Sequence, residues 1–390
     1  MKFNKWTVAL AAVGVVSLAS AARADEHMSQ VQTALSNTTI SGYVDVSAQW
    51  NLGNQNGGPV APYSYSTAVG ATKADGFNLN TVDLALDKPL DQSQWASGYH
   101  VEMWLGPDAD TLSTDTHYVR NGNFAIRQAY VALRTPVGNG IDWKVGVFDS
   151  PLGYESTSSP LDPNYTRSYG YTIEPTELTG VLATYKVNDI ITAQAGVADS
   201  LSPVINARDP RESQKAYLGD IALTAPDSFG WAKGATLNMG VATSAGVDAA
   251  HGMTSWYVGS TLPTPITKLK VGAAFDYLDI HNGQTATNPQ DNSEWVAGLY
   301  ANFQATDKLG LNLRGEYLSN AGAGLYTPFG GAAEELTATV QYNLWANVLS
   351  RVELRWDHVE HGKSFDTTTQ GVTPAKDNAI MLALNLIYQF

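Results

Sequence analysis

The stretch from Asp149 to Glu177 gathers ionisable and phenolic side chains: Asp149, Glu155, Asp162, Arg167, Glu174 and Glu177, interleaved with Tyr154, Tyr165, Tyr169 and Tyr171. Acids outnumber bases there, and no periodicity of regular structure runs through it, which is the composition of a functional loop. Carboxylates so placed attract cations, with Glu174, Glu177 and Asp162 the candidates; Arg167 either pairs with one of them or faces a wall. A second set occupies alternate positions further along. Arg351, Glu353, Arg355 and Asp357 interleave with Val352, Leu354 and Trp356, and Arg314 and Glu316 lie between Leu313 and Tyr317 in the same way. Ions of both signs on one face cost several kcal/mol each in a dry core and little against water. Arg314, Arg351 and Arg355 can oppose the acidic stretch or pair with Glu316, Glu353 and Asp357, and pairing is the safer expectation because neighbours on one face lie within reach.

Other chemistry lacks its residues. The chain has no cysteine, hence no disulfide, thiolate metal site or cysteine nucleophile. No G-x-S-x-G occurs, and the seven histidines are scattered. His358-Val359-Glu360-His361 departs from H-E-x-x-H and lies at a strand-to-loop transition, where alternate residues do not share a face. Asp108-Ala109-Asp110 with Asp115 lacks the glycine and terminal Glu of a calcium loop. No catalytic residue, metal or cofactor is expected. A net charge of −14 argues against nucleic acid as a partner.

What must position these residues is legible in the rest of the chain. Lys2 and Lys5 precede an apolar stretch ending at Ala22-Arg23-Ala24, the pattern of a secretory signal cleaved after Ala24. Removing Lys2, Lys5 and Arg23 leaves 20 bases against 37 acids, net −17. Residues 25–39 form a short periplasmic segment, too few for a globular plug. From residue 40 to 390 apolar residues fall on every second position, as in Ile40, Val44, Val46, Ala48 and Trp50 against Tyr43, Asp45, Ser47 and Gln49. That is the period of a strand. Sixteen such segments are predicted, beginning near residues 40, 79, 95, 124, 141, 178, 190, 216, 235, 254, 269, 294, 309, 335, 349 and 379. Two have broken alternation, 79–88 and 124–134; in the latter Arg127 shares a face with Ala129, Val131 and Leu133, so one end is expected to leave the membrane. The odd links between segments hold 10 to 29 residues and the even links 2 to 9. A soluble sandwich has no reason to sort its links by parity, whereas a barrel in an outer membrane has short periplasmic turns and long external loops. Aromatics such as Trp95, Trp143, Trp256, Trp295 and Trp356 cap the apolar stripes, as at membrane interfaces. The fold class is therefore all-β: a transmembrane antiparallel β-barrel of about 16 strands in contact with outer-membrane lipid. Its lumen wall carries Asp45, Glu102, Lys144, Arg314, Glu316, Arg351, Glu353, Arg355 and Asp357.

The last strand ends Leu382-Ala383-Leu384-Asn385-Leu386-Ile387-Tyr388-Gln389-Phe390. Leu384, Leu386, Tyr388 and Phe390 on one face resemble the terminal signal by which the barrel assembly machinery recognises outer-membrane proteins. Gly42-Tyr43-Val44-Asp45, Arg127-Gln128-Ala129-Tyr130-Val131, the run from Gly146 to Glu155 and the run from Arg167 to Glu177 together resemble the beta-barrel porin-2 (OmpL-like) family of bacterial outer-membrane proteins. The resemblance implies a pore for small hydrophilic solutes and ions with no enzymatic chemistry. The layout is also similar to that of the general sixteen-stranded porins, which implies a homotrimer and an inward-folded third long loop, here 149–177. Glu155, Asp162, Tyr165, Arg167, Tyr169, Glu174 and Glu177 would then form the constriction and favour cations weakly; alternatively the loop covers the mouth with its acids solvated. Two other readings stay open. One is a solute-specific channel, for carbohydrate for example, whose Tyr43, Trp104, Tyr130 and Tyr300 stack on a planar solute. The other is a structural or adhesive barrel that does not conduct.

Overall fold

A computed structural model describes residues 37–52, 59–60, 63–64, 73, 75–114, 123–208, 214–244, 251–282, 292–320, 331–365 and 376–390. The signal segment, most of 25–39 and Asp115 lie outside the described residues. Sixteen antiparallel strands close into one barrel. They are β1 Thr39–Asn51, β2 Gly76–Lys88, β3 Ser97–Leu105, β4 Phe124–Thr135, β5 Ile141–Asp149, β6 Glu177–Lys186, β7 Ile191–Ala198 and β8 Ala216–Thr224. The second half comprises β9 Thr236–Ser244, β10 His251–Pro263, β11 Leu269–Asn282, β12 Asn292–Gln304, β13 Leu309–Asn320, β14 Ala333–Trp345, β15 Val348–Val359 and β16 Asn378–Gln389. Each strand pairs with its chain neighbours. The ring is closed by β1 against β16 with Val44 opposite Tyr388, and beyond the last strand Phe390 and Gly42 exchange both backbone hydrogen bonds, at 2.9 and 3.2 Å. Closure leaves no unpaired edge, the condition for backbone in hydrocarbon. No helix among the described residues is long and apolar enough to cross a membrane; the strands do so.

Period-two patterning sets the two faces. Along β15, Val352 and Leu354 are exposed outward while Arg351, Glu353, Arg355 and Asp357 are buried inward. On β16, Leu384, Leu386 and Tyr388 lie exposed on the outer face. Towards the long-loop ends, Phe275, Trp295 and Tyr317 on three successive strands form an outward aromatic row, with ring centroids 6.0 and 5.4 Å apart.

The two segments with broken alternation hold bulges. Between β1 and β2 the register shifts at Asp45/Val46, so Asn80 is an extra residue and both Asn80 and Thr81 point inward. Between β3 and β4 the shift falls at Glu102/Met103, with Arg127 the extra residue. This corrects the expectation for Arg127. Strict alternation puts it on the lipid face with Ala129 and Val131, but the inserted residue turns it inward beside Gln128, where both are buried. A bulge re-aims a side chain in this way, and no end of β4 needs to leave the membrane.

Candidate functional site

The longest described link, 150–176 between β5 and β6, runs through the lumen and docks against most of its circumference. Leu152 packs where a Cβ at Gly240 of β9 would sit, and the Tyr154 hydroxyl occupies the space a Cβ at Gly272 of β11 would need. Tyr154 also stacks on Tyr300 of β12, centroids 4.1 Å apart, and bonds to the Thr261 hydroxyl at 2.9 Å. Further on, a 3₁₀ turn at Ser159–Leu161 and a short helix, α1, at Tyr169–Ile173 order the loop. Ser168 caps that helix, its hydroxyl accepting from the Tyr171 amide at 3.0 Å.

The docking is ionic and hydrogen-bonded throughout. Arg314 of β13 donates to Glu335 of β14 at 2.7 Å, to Glu155 of the loop at 2.8 Å, and to the Thr166 carbonyl at 2.8 Å. Arg351 of β15 donates to the Ser159 carbonyl at 2.8 Å and also to that of Asp162. Arg355 donates to the Arg167 carbonyl at 2.6 Å and pairs with Asp357 at 2.7 Å. The wall carboxylates take loop amides in return. Glu353 accepts from Tyr165 at 2.5 Å and Thr166 at 2.9 Å, while Glu316 accepts from Tyr169 at 2.6 Å and Gly170 at 3.2 Å. Tyr169 donates to Asp357 at 2.7 Å, and the Tyr165 hydroxyl reaches Gln49 of β1 at 3.0 Å. At Gly170 a Cβ would come within 2.8 Å of an Asp276 carboxylate oxygen, so a larger residue would push that side chain aside where the helix lies against β11. Charge-assisted bonds are the strong ones, and here the long links are held by many of them at once.

Two other long links join the contact. Lys73, from the link between β1 and β2, lies 2.5 Å from Asp108 in the link between β3 and β4 and sits over the Tyr165 ring at 5.3 Å. The Tyr171 hydroxyl donates to the Leu112 carbonyl at 3.4 Å.

The predicted residues are thus brought together, in roles the sequence did not assign. Arg167 pairs with Asp162 at 3.2 Å and donates to the Thr157 carbonyl at 2.7 Å. Glu155 is held by Arg314, and Glu177, fully buried at the start of β6, lies 3.7 Å from Arg127. Glu174 accepts from the Tyr154 amide at 3.3 Å. Burial outweighs the Arg167 charge at Asp162 and pushes its carboxyl up to about 7. Burial, then the neighbouring Asp276, holds the Glu174 carboxyl well above the usual range. The wall arginines do not all pair as expected. Arg355 takes Asp357, but Arg314 takes Glu335 in preference to Glu316, which stands 4.0 Å away, and the Arg351 guanidinium is spent on loop carbonyls rather than on Glu353. All three arginines lie beneath the docked loop, not across open water from it.

On the opposite wall, Arg127 joins Glu102 at 2.6 Å and Asp149 at 2.6 and 3.1 Å. Asp45 accepts from Asn80 at 2.7 Å. Lys144 is half-buried over the Tyr130 ring at 4.8 Å. Asp220 of β8 and Asp276 of β11, which sequence reasoning passed over, point inward and make no ion pair among the described residues. Their inward alternation was readable, as was that of Glu335; the bulge behind Arg127 was not. Of the aromatics proposed to stack on a solute, Tyr43, Trp104 and Tyr300 are buried, so their rings are already covered. His358, from the weak metal motif, stacks on Trp356 and meets the Asn378 side chain at 3.1 Å.

A family model described as putative beta-barrel porin-2, OmpL-like, matches residues 37–390. No curated protein sequence matches the chain. Among solved structures, the outer membrane channel DcaP of Acinetobacter baumannii aligns with TM-score 0.62 and 14% identity, covering 90% of this chain and 97% of that one. An anion-selective porin from Comamonas acidovorans aligns with TM-score 0.61 and 11% identity, over 90% and 99% of the two chains. OmpT of Vibrio cholerae, in a trimer form, aligns with TM-score 0.56 and 14% identity, again over 90% and 99%. Identities this low carry the fold alone.

Proposed function

Because the chain belongs to the putative beta-barrel porin-2, OmpL-like, family and forms an outer-membrane channel, we propose that small hydrophilic solutes and ions diffuse passively through it, with a weak preference for cations. The family and fold are those of non-enzymatic channels, and this chain, we infer, likewise catalyses nothing. The observation that carries the reading is the loop 150–176, docked across the lumen by Arg314, Arg351 and Arg355, which narrows the barrel without closing it covalently. A sixteen-stranded barrel is otherwise wide enough for an aqueous channel.

In this reading the cation preference does not rest on the loop acids. Asp162, Glu155 and Glu177 face buried guanidinium groups, so their charge is largely compensated. Asp276 lies under the docked helix beside the Glu174 carboxyl, which leaves Asp220 facing inward without an ion pair among the described residues, and such a carboxylate draws cations. The test is reversal potential in a planar bilayer under a KCl gradient. A clear anion preference refutes the selectivity, and absence of conductance from correctly folded protein favours the adhesive alternative.

The same reading includes cleavage after Ala24, a short periplasmic segment over 25–39, a porin domain over 40–390, assembly through the terminal Leu384, Leu386, Tyr388 and Phe390, and a homotrimer. The trimer form of Vibrio cholerae OmpT supports the last point. N-terminal sequencing of the mature protein and mass measurement of the detergent-extracted assembly test these parts directly.

A further inference from the structure

On the wall formed by β3, β4 and β5, on the short-turn side of the docked loop, one cation stands apart. Lys144 is the fourth residue of β5; Trp143 and Val145 on either side belong to the outer stripe, so its side chain points into the lumen. Its ammonium lies 4.8 Å over the Tyr130 ring, and Tyr130 in turn stacks on His100, with centroids 5.4 Å apart and planes 23° off parallel. Register makes this array: His100 stands opposite Tyr130, and Tyr130 opposite Gly146. Gly146 faces Gly180 on β6, so beyond the tyrosine the wall is bare backbone at that level.

Charge accounting around the array isolates Lys144. His100 places Nδ1 3.0 Å from Asp87 and Nε2 3.3 Å from Glu102. Carboxylates only accept, so both nitrogens donate and the imidazole is a cation, compensated by those two acids. Glu102 also holds Arg127, whose other arm takes Asp149 through two bonds. The acids of this wall nearest the array are therefore spoken for. Lys144 makes no ion pair and no hydrogen bond among the described residues; its only polar partner there is the π face of Tyr130, which offsets part of an ammonium's hydration but leaves room for a counter-charge. The Tyr130 hydroxyl likewise makes no hydrogen bond among the described residues.

We propose that Lys144 is an anion contact within the channel, pairing with the carboxylate of a small organic solute below the constriction, with the Tyr130 hydroxyl as a second donor. The inference rests on the channel reading but adds to it: an acidic lumen that prefers simple cations also carries one specific place for an organic anion. A solute bearing both charges meets an acid without an ion pair at Asp220 and a base without one at Lys144, among the described residues.

The experiment is planar-bilayer recording in KCl with succinate as the probe, comparing wild type, Lys144→Gln, Lys144→Arg and Lys186→Gln. Lys186 is exposed at the short-turn mouth and paired with Asp189 at 2.8 Å, so it controls for general surface charge. Wild type should show saturable reduction of current by succinate. Lys144→Gln should raise the half-blocking concentration by about three- to fivefold, the scale of one solvent-accessible ion contact. Lys144→Arg should keep the block, and Lys186→Gln should leave it unchanged. Equal block in wild type and Lys144→Gln overturns the assignment, as does a wild type that conducts KCl and ignores succinate. A folded barrel that conducts no KCl fails at the channel reading instead, so the two failures are told apart.

Discussion

Arg314 offers the sharpest test of how the loop is held. Its guanidinium is fully buried and meets Glu335, Glu155 and both the carbonyl and hydroxyl of Thr166. Arg314→Met keeps the length of the stem and removes the charge, stranding Glu155 and Glu335 without their principal partner. Breaking a buried ion pair by deleting one member costs about 3–5 kcal/mol. That penalty is relieved by letting the loop leave the wall, because both carboxylates then regain water. The barrel itself is held by the closed backbone ladder, so the cost falls on the equilibrium between docked and released loop and shifts it by roughly two to three and a half orders of magnitude. The assay is single-channel recording, with limited proteolysis of the loop and thermal unfolding alongside. The expected result is a larger, flickering conductance and cleavage within 150–176, while heat-modifiable mobility on gels is kept. Adding Glu155→Gln should restore part of the quiet behaviour by removing the stranded charge. A quiet, wild-type conductance with an intact loop would falsify the argument that these buried ions fix the constriction.

Other outcomes follow from the same geometry. Asp162 is raised to about 7 in the docked loop, against about 4 when free; the docked state therefore favours the protonated carboxyl, so docking is firmest below about pH 4 and weakens as pH rises through 7. Loop cleavage rates measured from pH 4 to 8 should increase across that window in wild type and less steeply in Asp162→Asn, where the raised Glu174 carboxyl still contributes, and a decrease with rising pH would contradict the sign. Asp220→Asn should move the potassium-to-chloride permeability ratio towards unity, and a ratio unmoved in that variant would locate selectivity elsewhere. Phe390→Ala should lower the amount of folded barrel recovered from outer membranes while leaving single-channel conductance unchanged; equal recovery would remove the terminal aromatic from the assembly signal.

How far the sequence reached depends on the range of the interaction. The strand number, the parity of the links and the outward stripes of β13, β15 and β16 are readable because a strand's side-chain period is two and a membrane imposes apolarity on one phase of it. The candidate loop was readable from its length and its acids. Its partners were not: Arg314 meets Glu155 and Thr166, and Arg355 meets the Arg167 carbonyl, across 148 to 188 residues of sequence. Nothing local distinguishes an arginine that pairs along its own strand, as Arg355 does with Asp357, from one whose guanidinium is claimed by loop carbonyls, as at Arg351.

The sequence by itself therefore determined a lipid-facing barrel and which link is longest and most acidic, because alternation and link length are properties of consecutive residues, and it left open whether that link enters the lumen or covers the mouth. Only the tertiary structure decided which charges remain available to a solute. A single inserted residue turns Arg127 inward, and closure of the ring brings distant strands around one loop. Whether a carboxylate attracts ions or anchors backbone is then settled by what stands within about 3 Å of it, the reach of a hydrogen bond.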